Sequence, residues 1–192
     1  FRMSRKDADF AFCGRRVQML DGEIVVSRRE ASLALEPLDF AGRRQEPTTL
    51  LIRGEHAAYR SLLGQLRWLR IQTRPELSFD VDKATQRSAA PVLQDAQQIS
   101  IVAKRARNSA DSTLRFPRAN ITLSTCTLLS YSDAAFANME GEKSQYGLVI
   151  FTTHKPHEFW KGSFDAGAIL YWTNATVKRV FRSTLASEAC AV

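Results

Sequence analysis

The feature that most constrains this chain is a change in its hydrophobic period near residue 120. Before it, apolar residues recur at intervals of three and four; after it, they alternate. A period near 3.6 lets a helix bury one stripe, and a period of two lets a strand bury one face. The pattern therefore predicts an α+β chain whose first part, residues 1–116, is a hairpin followed mainly by helices. Residues 117–125 read as a linker, and 126–192 as a short antiparallel sheet with one helix against a face.

The opening stretch reads as a strand over Phe10–Met19. Phe10 and Phe12 take one face and Val17 and Met19 the other, so a bulge is expected near Cys13-Gly14. Asp21-Gly22 is a tight-turn signal, with Ile24–Ser27 returning. Ser27 is placed to cap a short helix running to Glu36 and stopped by Pro37, and residues 41–54 read as a loop. Three helices are then expected. The first has the stripe Tyr59, Leu62, Leu63, Leu66 and Leu69. Pro75 opens the second, with Leu77, Val81, Ala84 and Ser88, and Pro91 the third, with Val92, Ala96, Ile99, Ala103 and Ala106.

Leu128–Phe136, Tyr146–Thr152 and Ala168–Thr173 read as strands. Ser183 can cap a last helix whose stripe is Leu185, Ala189 and Val192. Alternation puts Leu129, Tyr131 and Asp133 on one face, and Glu188 falls at the edge of the helix stripe. Both carboxylates thus border one sheet–helix seam, where paired acids hold a cation or share a proton. Unrelated surface acids would give the same pattern.

Composition narrows the function classes. The 192 residues carry 27 Lys and Arg against 20 Asp and Glu, for a net charge of +7, and twenty of the basic residues are arginine. Residues 1–116 hold a net +6 of this. Arginine's planar fork suits phosphate, so a basic surface of this kind points to nucleic acid or an anionic membrane, with a merely solvated basic surface as the alternative. The cluster Lys104, Arg105 and Arg107 also suits the end of a helix, where cations complement the dipole. No apolar run approaches the ~18 residues of a membrane span, and no leader pattern opens the chain, so an intracellular, non-secreted protein without a membrane partner is expected. Cys13, Cys126 and Cys190 form neither a metal-binding pair nor a disulfide framework. His154 and His157 flank Pro156 in a turn with no cysteine near, a poor zinc site. Trp68, Trp160 and Trp172 could stack on bases, but packing in a core or an interface is the expected role of each.

Four motifs in order carry a family resemblance. Tyr59-Arg60-Ser61-Leu62-Leu63-Gly64-Gln65-Leu66 and Thr73-Arg74-Pro75-Glu76-Leu77 resemble a stretch of copia-type retrotransposon Pol polyproteins that follows the reverse-transcriptase palm. Tyr131-Ser132-Asp133-Ala134-Ala135-Phe136-Ala137 with Lys143-Ser144-Gln145-Tyr146-Gly147, and then Arg182-Ser183-Thr184-Leu185-Ala186-Ser187-Glu188-Ala189, resemble the start of that family's ribonuclease H domain. The resemblance runs from about Phe10 to Val192.

The resemblance implies a thumb or connection region over 1–116 and the opening of a ribonuclease H-like domain over 126–192. It implies Asp133 and Glu188 as catalytic, metal-binding acids for Mg²⁺, acting in two-metal hydrolysis of the RNA strand of an RNA–DNA hybrid. The implied partners are that hybrid, or other nucleic acid, and the remainder of the Pol polyprotein. Both ends look cut. The polymerase's YxDD hairpin would precede Phe1 and the later acids would follow Val192, so the chain is expected to be catalytically incomplete. Asn174-Ala175-Thr176-Val177 departs from the Ser-, Lys- and Gln-rich stretch usual there. The competing reading is a non-catalytic product, either a degenerate element remnant or a basic nucleic-acid-binding protein.

The charge distribution predicts sequence-independent nucleic-acid binding. Measured across about 50–200 mM salt, log affinity should fall with log salt by about 0.7–0.9 per phosphate contacted. A flat salt response would exclude a phosphate-dominated interface.

Overall fold

A computed structural model describes residues 8–40, 46–117, 126–136, 144–154, 161, 167–177 and 183. Among them the chain is a mixed α+β protein with two antiparallel sheets and four α-helices. The residues divide into two compact units, one of 28–112 and one of 1–27 with 113–192. The change of period marks 117–125 instead. The division differs because the N-terminal strands pair with a strand C-terminal to the helices, and hydrogen-bonded ladders ignore sequence distance.

The helical unit contains α1 (Arg29–Leu33), α2 (Arg53–Gln72), a 3₁₀ turn (Pro75–Leu77), α3 (Ser78–Gln86) and α4 (Leu93–Asn108). The expected stripes face inward except at two ends, where Ser88 follows α3 and Val92 precedes α4. Tyr59, Leu62, Leu63, Leu66 and Leu69 from α2 meet Leu77 and Val81, and Ala96, Ile99, Ala103 and Ala106 from α4, in one buried cluster with Leu35. The segment before α2 is tied to the start of α4. Pro47 and Thr49 carbonyls accept the Gln94 and Leu93 amides, and Leu51 N–H reaches the Pro91 carbonyl. Two of these carbonyls satisfy amides that the first turn of a helix leaves without partners. Glu55 and Asp95 each reach back to the backbone N–H before their own helix, at 3.0 and 2.9 Å.

The α2–α3 turn is the Thr73-Arg74-Pro75 triplet. A residue before proline avoids the α region, which ends α2, and Pro75 suits the first position of the next turn. Arg74 is 1% exposed. Its Nε donates to Glu76 at 2.5 Å, Nη1 to Ser32 Oγ at 3.3 Å and the Ala106 carbonyl at 3.1 Å, and Nη2 to Ser109 Oγ at 2.7 Å. One guanidinium thereby joins α1, the end of α4 and the 3₁₀ turn. Across the same bundle the Tyr59 hydroxyl donates to the Ala84 carbonyl at 2.8 Å, and burial pushes its phenol well above the ordinary range. Arg70 grips Asp82 through both carboxylate oxygens, at 3.0 and 2.8 Å. Burial raises the Asp82 carboxyl despite the opposing pull of Arg70 and Arg67.

The second unit opens with a four-stranded antiparallel sheet, β1 (Asp9–Phe12), β2 (Arg15–Leu20), β3 (Glu23–Ser27) and β4 (Leu114–Phe116), in that order. Two expectations are corrected by this sheet. Cys13-Gly14 is not a bulge in one strand but a two-residue turn between two, with φ of 49° and 71°; Asp21-Gly22 makes the same kind of turn with 51° and 83°. Phe10 consequently pairs with Val17, so the apolar residues of β1 and β2 share a face instead of switching sides. Ser27 does not cap a helix. It is the buried last residue of β3, paired with Arg16, and α1 starts at Arg29 with no side-chain cap and ends at Leu33 rather than Glu36. With α1 beginning at Arg29, the cap position falls on Arg28, one residue past Ser27.

The other sheet is three-stranded and antiparallel, β5 (Thr127–Ala135), β6 (Gln145–Thr153) and β7 (Gly167–Thr176) in that order. It matches the three expected strands, with β7 running three residues further. Leu170 is an extra residue between Ile169, opposite Phe151, and Tyr171, opposite Ile150. The helix expected over 183–192 lies outside the described residues.

Replacing Arg74 by Ala would leave the buried Ala106 carbonyl and Ser32 hydroxyl without their donor, at about 1–3 kcal/mol each. Chemical denaturation should therefore show a loss of about 3 kcal/mol. Arg74→Lys should restore only part of it, because an ammonium lacks the fork that reaches both sides. Tyr59→Phe, which removes one neutral hydrogen bond, should cost about 1 kcal/mol.

Candidate functional site

The register of the three-stranded sheet assembles a row that runs across it. Asp133 on β5 pairs with Gly147 on β6, and Gly147 with Asn174 on β7. Residues directly opposite share a face, so all three look the same way, as do Gln145 and the neighbouring row of Tyr131, Val149 and Trp172. The expected grouping of Leu129, Tyr131 and Asp133 holds, and the Tyr131 ring meets Phe151 edge-on at 5.9 Å on that same face.

Most of this face is apolar, with Leu129, Phe151, Ile169 and Val149 along it. Its polar end is built from Asp133, Gln145 and Asn174. Asp133 is exposed, and its Oδ1 accepts the Ala134 amide at 2.8 Å. Gln145 is 3% exposed; its Nε2 donates to Asn174 Oδ1, while its Oε1 is buried with no hydrogen-bond partner among the described residues. That bond fixes the Asn174 carboxamide, whose Nδ2 lies 3.8 Å from where a Cβ on Gly147 would sit. With strands about 4.8 Å apart, Asp133 and Asn174 stand about 10 Å apart with a side-chain-free position between them. The carboxylate of Asp133 and the carboxamide of Asn174 thus flank, in one row, a position that carries no side chain.

Of the two acids expected to share a cation, Asp133 is on this face and Glu188 lies outside the described residues. Asp133 supplies hard oxygen suited to Mg²⁺, but one carboxylate leaves most of the ion's shell to water. Among the described residues no group of three or more His, Cys, Asp and Glu is arranged to hold a metal. His154 is exposed just after β6, and His157 lies outside the described residues. Gln145, Gly147 and Asn174 were not singled out by pattern as site residues. A glycine inside a strand is a signal for close approach, and strand arithmetic could have aligned it with Asp133.

The helical unit carries the candidate phosphate-facing surface. Several of the arginines are already held by acids. Arg29 meets Asp111 at 2.6 Å and Arg105 meets Asp80 at 2.5 Å, in addition to Arg70 and Arg74. Arg28 lies over the Trp68 ring, 5.6 Å from its centre, which gives Trp68 a partner within the protein. Arg53, Arg60 and Arg67 are exposed and recur every seven residues along α2, about 10 Å apart along the helix axis. A cleft of about 370 Å³ between α3 and α4 is lined by Asp80 and Asp95 as well as Lys83 and Arg87, so it offers an anion no net positive charge. No helix among the described residues is long and apolar enough to cross a membrane.

The space over Gly147 makes one expectation direct. A Cβ there would make only an ordinary van der Waals contact with Asn174. Gly147→Ala should therefore fold with a melting temperature equal to or slightly above that of the parent, since alanine also restricts the unfolded chain. No family model, no curated protein and no solved structure matches the chain.

Proposed function

We propose that this chain is a segment of a copia-type retrotransposon Pol polyprotein, covering the end of the reverse-transcriptase region and the opening of a ribonuclease H-like domain, and that it binds RNA–DNA hybrids. The observation that carries the reading is the exposed Asp133 on the first strand of a three-stranded antiparallel sheet, at the polar end of an otherwise apolar face. That is the position the family's first metal-binding acid requires, and the motif around it is the one the resemblance rests on. The four motifs in their order support it, as does the net +6 of residues 1–116.

In this reading Asp133 and Glu188 are the first two acids of a Mg²⁺ site. When bound, the metal supplies activation of water and stabilisation of the leaving oxygen. The protein's own part is to hold the hybrid by its backbone. The arginine row of α2 meets phosphates, and Asp133 presents its carboxylate at the sheet surface. Two carboxylates give a second metal no ligands of its own, so the 192-residue chain should bind hybrid without cleaving it.

The test is hybrid binding followed by fluorescence anisotropy. Replacing Arg53, Arg60 and Arg67 together by Gln should weaken binding and reduce the salt slope by up to about 0.9 for each phosphate that is no longer neutralised. Added Mg²⁺ should tighten hybrid binding, and Asp133→Asn should abolish that response. An unchanged salt slope in the triple variant would remove the α2 surface from the reading. A Mg²⁺ response intact in Asp133→Asn would remove the metal-site assignment.

A further inference from the structure

We propose that the groove between α3 and α4 is a docking site for an acidic–apolar peptide segment of a partner protein, with Lys83 as the group that receives its carboxylate. The groove residues belong neither to the four motifs, nor to the arginine row of α2, nor to the polar row around Asp133. The inference therefore stands or falls apart from the function proposed above.

Which groups are already engaged decides what fits. The groove of about 370 Å³ is lined by two acids and two bases, so its charges cancel. Three of the four have partners within the protein. Asp80 pairs with Arg105 at 2.5 Å, Asp95 Oδ2 accepts the Val92 amide at 2.9 Å, and Arg87 is engaged as well. Lys83 and the carboxamides of Gln94 and Gln98 make no hydrogen bond or ion pair among the described residues. The groove thus offers one ammonium and two amide N–H donors, which is the complement of a single carboxylate. A phosphate backbone fits poorly. Asp95 stands in the first turn of α4 and Asp80 meets the last, so a chain with a charge at every unit would pass an acid at each end.

Shape and apolar contact favour a peptide over a small molecule. Lys83, Arg87, Gln94 and Gln98 are all exposed, so the groove is open along its length, whereas a small-ligand pocket encloses most of what it binds. Asp80 and Arg87 are seven residues apart on α3, about 10 Å along the axis, which is the length of three extended residues. Ala84, Ile99 and Val102 give the lining an apolar part. Gln94, Gln98, Ile101 and Arg105 fall on one stripe of α4, and Arg105 reaches across to Asp80 on α3. Ile101 therefore lies at the rim, 57% exposed, where an apolar side chain of the partner can cover it. An acid with an apolar neighbour on each side satisfies both kinds of contact.

The experiment titrates the isotope-labelled full chain with three capped pentapeptides, observed by NMR. Each peptide carries two leucines flanking a central glutamate, glutamine or lysine. The glutamate peptide should move the side-chain amide signals of Gln94 and Gln98 with a Kd of about 0.1–1 mM. It should bind about three- to fivefold more tightly than the glutamine peptide, the size of one surface ion pair. Lys83→Gln should erase that difference while its circular dichroism matches the parent. Lys83→Glu should reverse the order, so that the lysine peptide binds best. Inorganic phosphate at the same concentrations should leave those amide signals in place. Equal binding of the glutamate and glutamine peptides, or an order that survives Lys83→Glu, overturns the inference. So do signals that move only outside α3 and α4, a response of the same amides to phosphate, or no binding of any peptide up to about 10 mM.

Discussion

The helical unit depends on a charged group held where charge is costly. Arg74 lies almost wholly out of water, and its guanidinium directs its donors to Ser32, Glu76, the Ala106 carbonyl and Ser109. A buried cation is tolerated only when hydrogen-bonded and paired, and here a half-exposed carboxylate supplies the counter-charge while uncharged oxygens fill the remaining directions. The consequence is geometric as well as energetic. The apolar stripes of α2, α3 and α4 would pack in more than one way, whereas a planar fork with fixed donor directions accepts few arrangements of the elements around it. The Thr73-Arg74-Pro75 triplet thus ends one helix, starts the next turn and fixes α1 and α4 beside them.

The three-stranded sheet solves a different problem. Its face is largely apolar and yet ends in a polar row. Register does this by aligning Asp133, Gly147 and Asn174 in one row and the aromatic and aliphatic residues in the rows beside it. Gln145 completes the polar end from a buried position, turning the Asn174 amide toward the glycine. The bulge at Leu170 lies beyond this row, so the alignment from Asp133 to Asn174 is continuous.

Legibility varied with the range of the interaction that decides each feature. The stripe from Tyr59 to Leu69 was readable because a helix imposes its period locally, and every member is buried. The Asp21-Gly22 turn was readable because that dipeptide tolerates positive φ. Cys13-Gly14 takes the same geometry but its first residue is no turn former, so the two strands read as one, and two apolar pairs were assigned to opposite faces. Ser27 has the chemistry of a cap but ends a strand, and the helix begins too late for its side chain to cap it, because strand pairing with Arg16 extends through Ser27. For the site, the position of Asp133 on its face was legible from alternation, while its neighbours Gly147 and Asn174 come from the two other strands of the sheet.

By itself the sequence determined the α+β class, the helical stripes, the three strands of the second sheet and the face that Asp133 occupies, because periodicity and turn chemistry act within a few residues. Tertiary structure alone decided that β4, past the helices, completes the N-terminal sheet, that Arg74 is the buried tie of the bundle, and that Gly147 stands between Asp133 and Asn174. These depend on which distant residues are brought opposite one another. Strand register and the satisfaction of a buried guanidinium are set by the whole assembled unit, and no local pattern carries them.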